Sequence, residues 1–309
     1  MPVVHYFSDP FQYQFMRRAL IEVILMGAVT GAIGTYVVLR GLSFIGDALS
    51  HAIFPGIVIA FLLSQSIFWG ALIFGVLTSA SIAVVAQNRR VKEDSAIGVL
   101  FAGTFALGVV LISSSRNFTR DLASFLFGNV LGVTEHDILL SAVVGALVVV
   151  LVVVFYRELL ITSFDRAAAQ AIGLPIFWLD LLLLVMISLT IVVSLQAVGN
   201  ILVVAMLVTP AAAARLLTER LPVMMATSSA LGVLSGAVGL VISYHFDVAA
   251  GGTIVLVATA IFGLAWLFAP NHGFVPAQLL RRRLALGVSP AMRVYFESPE
   301  IQTPGPHAP

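Results

Sequence analysis

The chain has 309 residues, 60% hydrophobic and 10% charged, with a mean hydropathy of +1.07 and a formal net charge of +1. Soluble domains carry about 25% charged residues, so most of this surface faces something other than water, and a charge so close to zero argues against general attraction to nucleic acid. There are no cysteines, which excludes disulfides, thiolate metal ligands and cysteine nucleophiles together.

A closed β-barrel would show alternating segments of about ten residues. Here the apolar runs approach twenty residues without alternation, which predicts an all-α, polytopic transmembrane bundle. In chain order the expected spans are 18–39, 45–65, 67–86, 95–113, 137–156, 176–195, 199–218, 222–243 and 252–269. Short separators in the first pair and in 176–218 leave eight or ten spans open. Residues 1–17 are polar and aromatic, read as an extracytoplasmic segment with no cleavable signal. Residues 18–270 form one membrane domain. Residues 271–309 form a cytoplasmic tail, anchored by Arg281, Arg282 and Arg283 and disordered from about 298.

Basic residues set the orientation. With the N-terminus outside and the C-terminus inside, the inner side holds Arg40, Arg89, Arg90, Lys92, Arg157, Arg166, Arg215, Arg220, Arg281, Arg282, Arg283 and Arg293. The outer side keeps Arg17, Arg18, Arg116 and Arg120. Lys92 is the single lysine and no glycine-rich run precedes it, so the chain lacks a phosphate-binding P-loop.

Gly27, Gly31 and Gly34 in the first span, and Gly232, Gly236 and Gly239 in the eighth, fall on roughly one face each. Such faces let helix backbones approach closely in lipid, so a packing seam is expected rather than a pore lining. Two connections are long. Outer residues 114–136 contain the apolar run 124–129, read as a short helix on the outer mouth. Inner residues 157–175 contain Arg166 to Ile172, read as one short helix with Asp165 as N-cap and Gly173-Leu174-Pro175 as the stop. A helix on that face either rests on lipid headgroups or plugs into a partner.

Ionisable residues at membrane depth are functional candidates by default. Asp180 and Arg215 fall near inner helix ends, where a snorkelling or anchoring role is expected. His245 and Asp247 fall in an outer turn. Glu22 lies one turn into the first span, to pair with an arginine or to sit in a water-filled cavity. Thr209-Pro210 interrupts the seventh span, where the freed carbonyl either lines a pathway or marks a kink. Asp47 and His51 stand at i and i+4, about 6 Å apart along one helix face. A carboxylate and an imidazole at that spacing hold a divalent cation or form an interfacial ion pair. Two ligands are too few for a tight site, but two copies about a two-fold axis would supply two Asp and two His.

Several segments, in order, carry a resemblance. These are Met16-Arg17-Arg18-Ala19-Leu20; Gly34-Thr35-Tyr36-Val37-Val38-Leu39-Arg40; Gly46-Asp47-Ala48-Leu49-Ser50-His51-Ala52 with Pro55-Gly56; and Phe164-Asp165 with Ala169, Ala171 and Gly173. Later come Ser194-Leu195-Gln196-Ala197-Val198-Gly199, Leu207-Val208-Thr209-Pro210-Ala211-Ala212, Ala214-Arg215-Leu216-Leu217, and Phe268-Ala269-Pro270 with Gly273. This ordered set, from about residue 16 to 285, resembles the permeases of the manganese/zinc/iron ATP-binding-cassette importers. The resemblance implies a type II importer permease in a prokaryotic cytoplasmic membrane, working as a homodimer with cytoplasmic ATPase subunits and an external metal-binding solute-binding protein. It implies Asp47 and His51 as intramembrane ligands for a passing manganese, zinc or iron ion, with no resident cofactor and ATP bound by the partner. Phe164, Asp165, Ala169, Ala171 and Gly173 would dock on the ATPase. Many relatives have Pro-Glu-Leu after the Phe-Asp, where this chain has Arg166-Ala167-Ala168.

Two other classes stand beside this reading. A proton-coupled secondary transporter would use Asp47, His51 and Glu22 as a relay, and would be expected to show an inverted repeat with broken helices; no such repeat is evident in the sequence. An intramembrane metallohydrolase would need a His-Glu-x-x-His helix or similar cluster, and none is present. An importer of metal chelates would share the architecture without needing an Asp/His pair.

Overall fold

The computed structural model describes residues 9–88, 90–113 and 130–269, and for Gln196 the backbone alone. Within them the chain is helical throughout: α1 (Gln14–Leu39), α2 (Ile45–Ala52), α3 (Phe54–Leu62), α4 (Ile67–Ala86), α5 (Glu93–Ser113), α6 (Glu135–Val154), α7 (Tyr156–Phe164), α8 (Arg166–Ala171), α9 (Ile176–Val198), α10 (Asn200–Leu217), α11 (Leu221–Phe246) and α12 (Ala250–Phe268). Short 3-10 turns at Asp9–Gln12 and Val130–Gly132 flank α1 and α6. Counting α2 with α3, nine helical stretches among the described residues are long and apolar enough to cross a bilayer, the number expected from sequence.

Four boundaries differ from expectation. α1 begins at Gln14, so part of the segment 1–17 belongs to the first helix. The span drawn at 45–65 is two helices meeting at Ile53 and ending at Leu62. Pro55 is the cause: it lacks the N–H that would close on the His51 carbonyl four residues earlier. The inner connection 157–175 holds two helices rather than one, because α7 turns directly out of α6 at Phe155. α9 runs to Val198 and gives way to α10 at Gly199, whose φ of +83° suits glycine. Arg89, the run 124–129 with Arg116 and Arg120, and Pro270, Gly273, the Arg281–Arg283 cluster and the tail lie outside the described residues.

α1 is the axis of the bundle. It packs on α11, α10 and α6, while α9 packs on α4 and α6, and α2 and α3 lie against α4 and α5. The expected glycine faces do form a seam. A Cβ on Gly31 would stand 2.5 Å from the Ser229 backbone, and one on Gly27 would stand 2.8 Å from Val233 N. Gly34 meets the Leu207 carbonyl of α10 instead, and Gly239 meets Ile254 of α12. Ile33, Tyr36, Leu183, Met186, Ile187 and Ile191 fill the centre between α1 and α9. Large apolar side chains on α5, α6 and α12 point outward, as helices bathed in lipid require.

The seam sets a test. Gly31→Ala should force α1 off α11 and cost about 2–3 kcal/mol, read as a lowered thermal midpoint in detergent. Gly98→Ala, where a Cβ meets nothing within 4 Å, should leave the midpoint unchanged or raise it slightly.

Candidate functional site

Asp47 and His51 lie on α2, one turn apart. His51 Nε2 is 3.5 Å from Asp47 Oδ1. The His51 ring packs against Phe101 and Phe105 of α5, at centroid separations of 5.8 and 5.3 Å. On its other side, Asn200 Nδ2 of α10 stands 3.3 Å from His51 Nε2. The Asn200 residue is 5% exposed, and its Oδ1 is buried without a hydrogen-bond partner. Asn200 was not singled out from the sequence, although an asparagine opening an apolar run directly after a glycine was a legible signal.

The depth of this group follows from the helix register. Arg40 and Asp180 mark one end of α1 and α9, joined at 2.5 Å. From Asp180 to Ser194, α9 climbs about 21 Å, and α1 climbs the same about 21 Å from Arg40 to Met26. The two helices meet again there, with Ser194 Oγ 2.6 Å from Met26 Sδ. Val23, Met26, Thr30, Ser194, Val198 and Leu202 surround one small apolar gap at this level. By the same rise the turn at Gly199 lies about 28 Å beyond Asp180, roughly three-quarters of the way along α1 from Arg40, and His51, in contact with Asn200, lies inside the bundle near that level. Yet in the single chain the Asp47 and His51 side chains remain 44% and 24% exposed. A polar pair between the two ends of α1 is left partly uncovered by the single chain.

At the Arg40 end, α8 forms as expected. Asp165 Oδ1 accepts from Ala168 N at 2.9 Å, Ala169 is fully buried, and Gly173 (φ +79°) ends the turn. Phe164 and Ile172 are 64% and 63% exposed, and Ala171 is exposed beside them. These are apolar side chains projecting from a short arm. Arg166 opens α8 and reaches two acids: Asp180 of α9, at very short range, and Glu93 of α5 at 3.2 Å. Arg40 answers the other Asp180 oxygen and donates to Ser163 Oγ at 3.1 Å and Thr162 Oγ1 at 2.9 Å. A snorkelling or anchoring role was expected for Asp180. It does not snorkel: it is 9% exposed at the centre of a four-residue ion network, because α1 and α7 deliver Arg40 and two hydroxyls over it.

The remaining candidates lie apart from this group. Glu22 is fully buried between α1 and α6, where Ser141 Oγ donates to its Oε1 at 2.7 Å and Oε2 has no partner. Its described partner is thus a serine, not the arginine weighed from sequence. Thr209 and Pro210 lie within α10; Pro210 is buried, and the neighbouring Leu207 and Ala211 pack on Gly34. Arg215 donates to the Val38 carbonyl at 3.2 Å. Asp247 caps α11 in the left-handed region and is exposed.

Residues 12–269 match the model of a family described as ABC 3 transport family. The chain belongs to that family. It is 47% identical over 268 residues to the manganese transport system membrane protein MntC of Halalkalibacterium halodurans, covering 87% of this chain and 92% of that one. It is 40% identical over 282 residues to the manganese transport system membrane protein MntB of Synechocystis, covering 91% and 92%. The solved PsaBC of Streptococcus pneumoniae, in complex with a Fab, superposes with a TM-score of 0.78 at 40% identity, covering 89% of this chain and 99% of that one. An ABC transporter described as metal-chelate type and inward-facing superposes with a TM-score of 0.66 at 16% identity, a likeness of fold. The chain is thus a multi-pass permease of the metal importer family, with type II importer architecture, as its sequence implied.

The ion network makes an asymmetric prediction. Asp180→Ala leaves the Arg40 guanidinium buried (side chain 6% exposed) and without its carboxylate, and should cost about 3–5 kcal/mol. Arg166→Ala removes a side chain that is 46% exposed, and should cost about 1 kcal/mol or less. Thermal unfolding of the two variants side by side checks the order.

Proposed function

We propose that this chain is the membrane-spanning subunit of an ATP-driven importer of divalent transition metal, with manganese as its cargo, and that Asp47 and His51 hold the ion in transit. The observation that carries this reading is the Asp47–His51 pair itself, a carboxylate oxygen and an imidazole nitrogen 3.5 Å apart within an apolar bundle. Oxygen and nitrogen ligation without sulfur suits Mn²⁺. The names of the manganese transport relatives favour that ion over zinc or iron.

Among the described residues no group of three or more His, Asp or Glu gathers in one place. One chain therefore offers a two-ligand, weak and exchangeable acid–imidazole site. The partial exposure of the pair within the bundle supports a homodimer, since charge facing lipid costs several kcal/mol. A second copy across a two-fold axis would cover it and bring two more ligands. The cytoplasm lies at the Arg40 end, with the N-terminus outside and the C-terminus inside. There the arm of Phe164, Asp165, Ala169, Ala171 and Gly173 docks on a cytoplasmic ATPase through Phe164 and Ile172. An external solute-binding protein delivers the ion at the opposite end. The chain is a transport subunit rather than an enzyme.

The proton-relay alternative needs Glu22 to communicate with Asp47 and His51. Glu22 instead faces Ser141 on α6, and no described hydrogen bond links it to the pair.

Uptake of ⁵⁴Mn²⁺ by cells carrying Asp47→Ala or His51→Ala should fall to background while the protein stays in the membrane; normal uptake by both variants would remove the ligand assignment. Phe164→Ala should reduce co-purification of the ATPase subunit by about tenfold, as loss of a central apolar anchor does. If the ATPase is retained in full, docking through this arm is wrong.

A further inference from the structure

We propose that Asn200 is a third metal ligand, its side-chain amide oxygen joining Asp47 and His51 on the same ion and biasing the site toward manganese. The inference rests on the metal reading of the pair, and adds a residue on a helix distant in sequence.

The case begins with where the polar atoms converge. His51 Nε2 has Asp47 Oδ1 at 3.5 Å and the Asn200 amide at 3.3 Å. A metal ion with bonds of about 2.0–2.2 Å separates adjacent ligands by about 3.0–3.5 Å, in tetrahedral or octahedral arrangement. Both distances fall in that interval, so Asp47 and Asn200 each stand at a ligand-to-ligand distance from His51 Nε2.

His51 Nε2 has the Asp47 carboxylate oxygen and the Asn200 amide both within reach, so a ring carrying its proton on Nδ1 would turn the Nε2 lone pair toward both groups, the direction from which an ion would be held.

The buried oxygen completes the argument. Asn200 is 95% buried by the complement of its 5% exposure, and its Oδ1 has no hydrogen-bond partner. An unanswered buried carbonyl costs roughly 1–3 kcal/mol. A turn about the last torsion exchanges NH₂ and C=O at nearly the same place, so that Oδ1 would stand beside Nε2 and face the ion, with the NH₂ in the place Oδ1 now holds. Hard oxygens with imidazole and a higher ligand count suit Mn²⁺, whereas Zn²⁺ accepts four ligands readily.

The test uses the full permease–ATPase complex in lipid nanodiscs, titrated with Mn²⁺ alone and in competition with Zn²⁺. Asn200→Ala should weaken Mn²⁺ by about tenfold or more and Zn²⁺ by less, and Asn200→Asp, which keeps an oxygen, should restore Mn²⁺ binding. A spin-echo measurement on Mn²⁺ bound to protein carrying ¹³C-labelled asparagine needs no variant of the site: a ¹³C coupling is expected, and it should vanish in Asn200→Ala. Equal Mn²⁺ affinity in Asn200→Ala, or an absent ¹³C coupling whatever the affinities, overturns the ligand role. Mn²⁺ binding that survives Asp47→Ala as well overturns the underlying metal reading instead.

Discussion

The contact of α1 with α10 and α11, backbone against backbone, sets the position of every polar group discussed above. Lipid gives helices no hydrophobic reason to associate, so the bundle depends on close approach and on hydrogen bonds made inside it. Gly27 and Gly31 let α11 come within backbone contact, and Gly34 admits the Leu207 carbonyl of α10. Because α10 is pressed onto α1, its first residue, Asn200, arrives alongside α1 rather than beyond its end. Because α2 folds back from the Arg40 end of α1, with Gly46 against Leu207 and Val204, His51 arrives at the same level. The site is a consequence of the seam.

The same geometry explains how a chain without a nucleotide site can answer to one, on the proposed reading. The arm at α7 and α8 has few apolar anchors of its own, but Arg166 ties it to Asp180 and Glu93. Asp180 in turn holds Arg40, the residue that caps α1 and precedes the turn into α2. Glu93 opens α5, whose Phe101 and Phe105 brace the His51 ring. Displacing the arm therefore pulls on the bases of both helices that frame His51.

Much of this was legible in one dimension. Span number followed from hydropathy, because lipid demands long apolar helices. The Asp165 cap and the Gly173 stop followed from local chemistry, and the glycine seam followed from helical spacing. The i, i+4 relation of Asp47 and His51 needed only the helix period. What stayed hidden is what the third dimension assembles. Arg40 and Asp180 are separated by 140 residues, and nothing local marks them as partners, so each was read as an isolated end charge. The break at Ile53 was within reach, since Pro55 stands four residues past His51 and removes that residue's helical partner. Asn200 was passed over because asparagine beside glycine reads first as turn chemistry, and only the depth of the Gly199 turn makes it something else.

The break at Pro55 and the turn at Gly199 share one effect. Each interrupts the run of helix inside the bundle, and Pro55 leaves the His51 carbonyl without its usual partner four residues on. Membrane proteins tolerate irregular backbone only where protein or a water-filled path receives it. Here both interruptions adjoin His51: one follows it in sequence, the other faces it across 3.3 Å. On the proposed reading the ligands therefore sit at helix ends on α2 and α10, while the seam of α1 with α10 and α11 holds those ends in place.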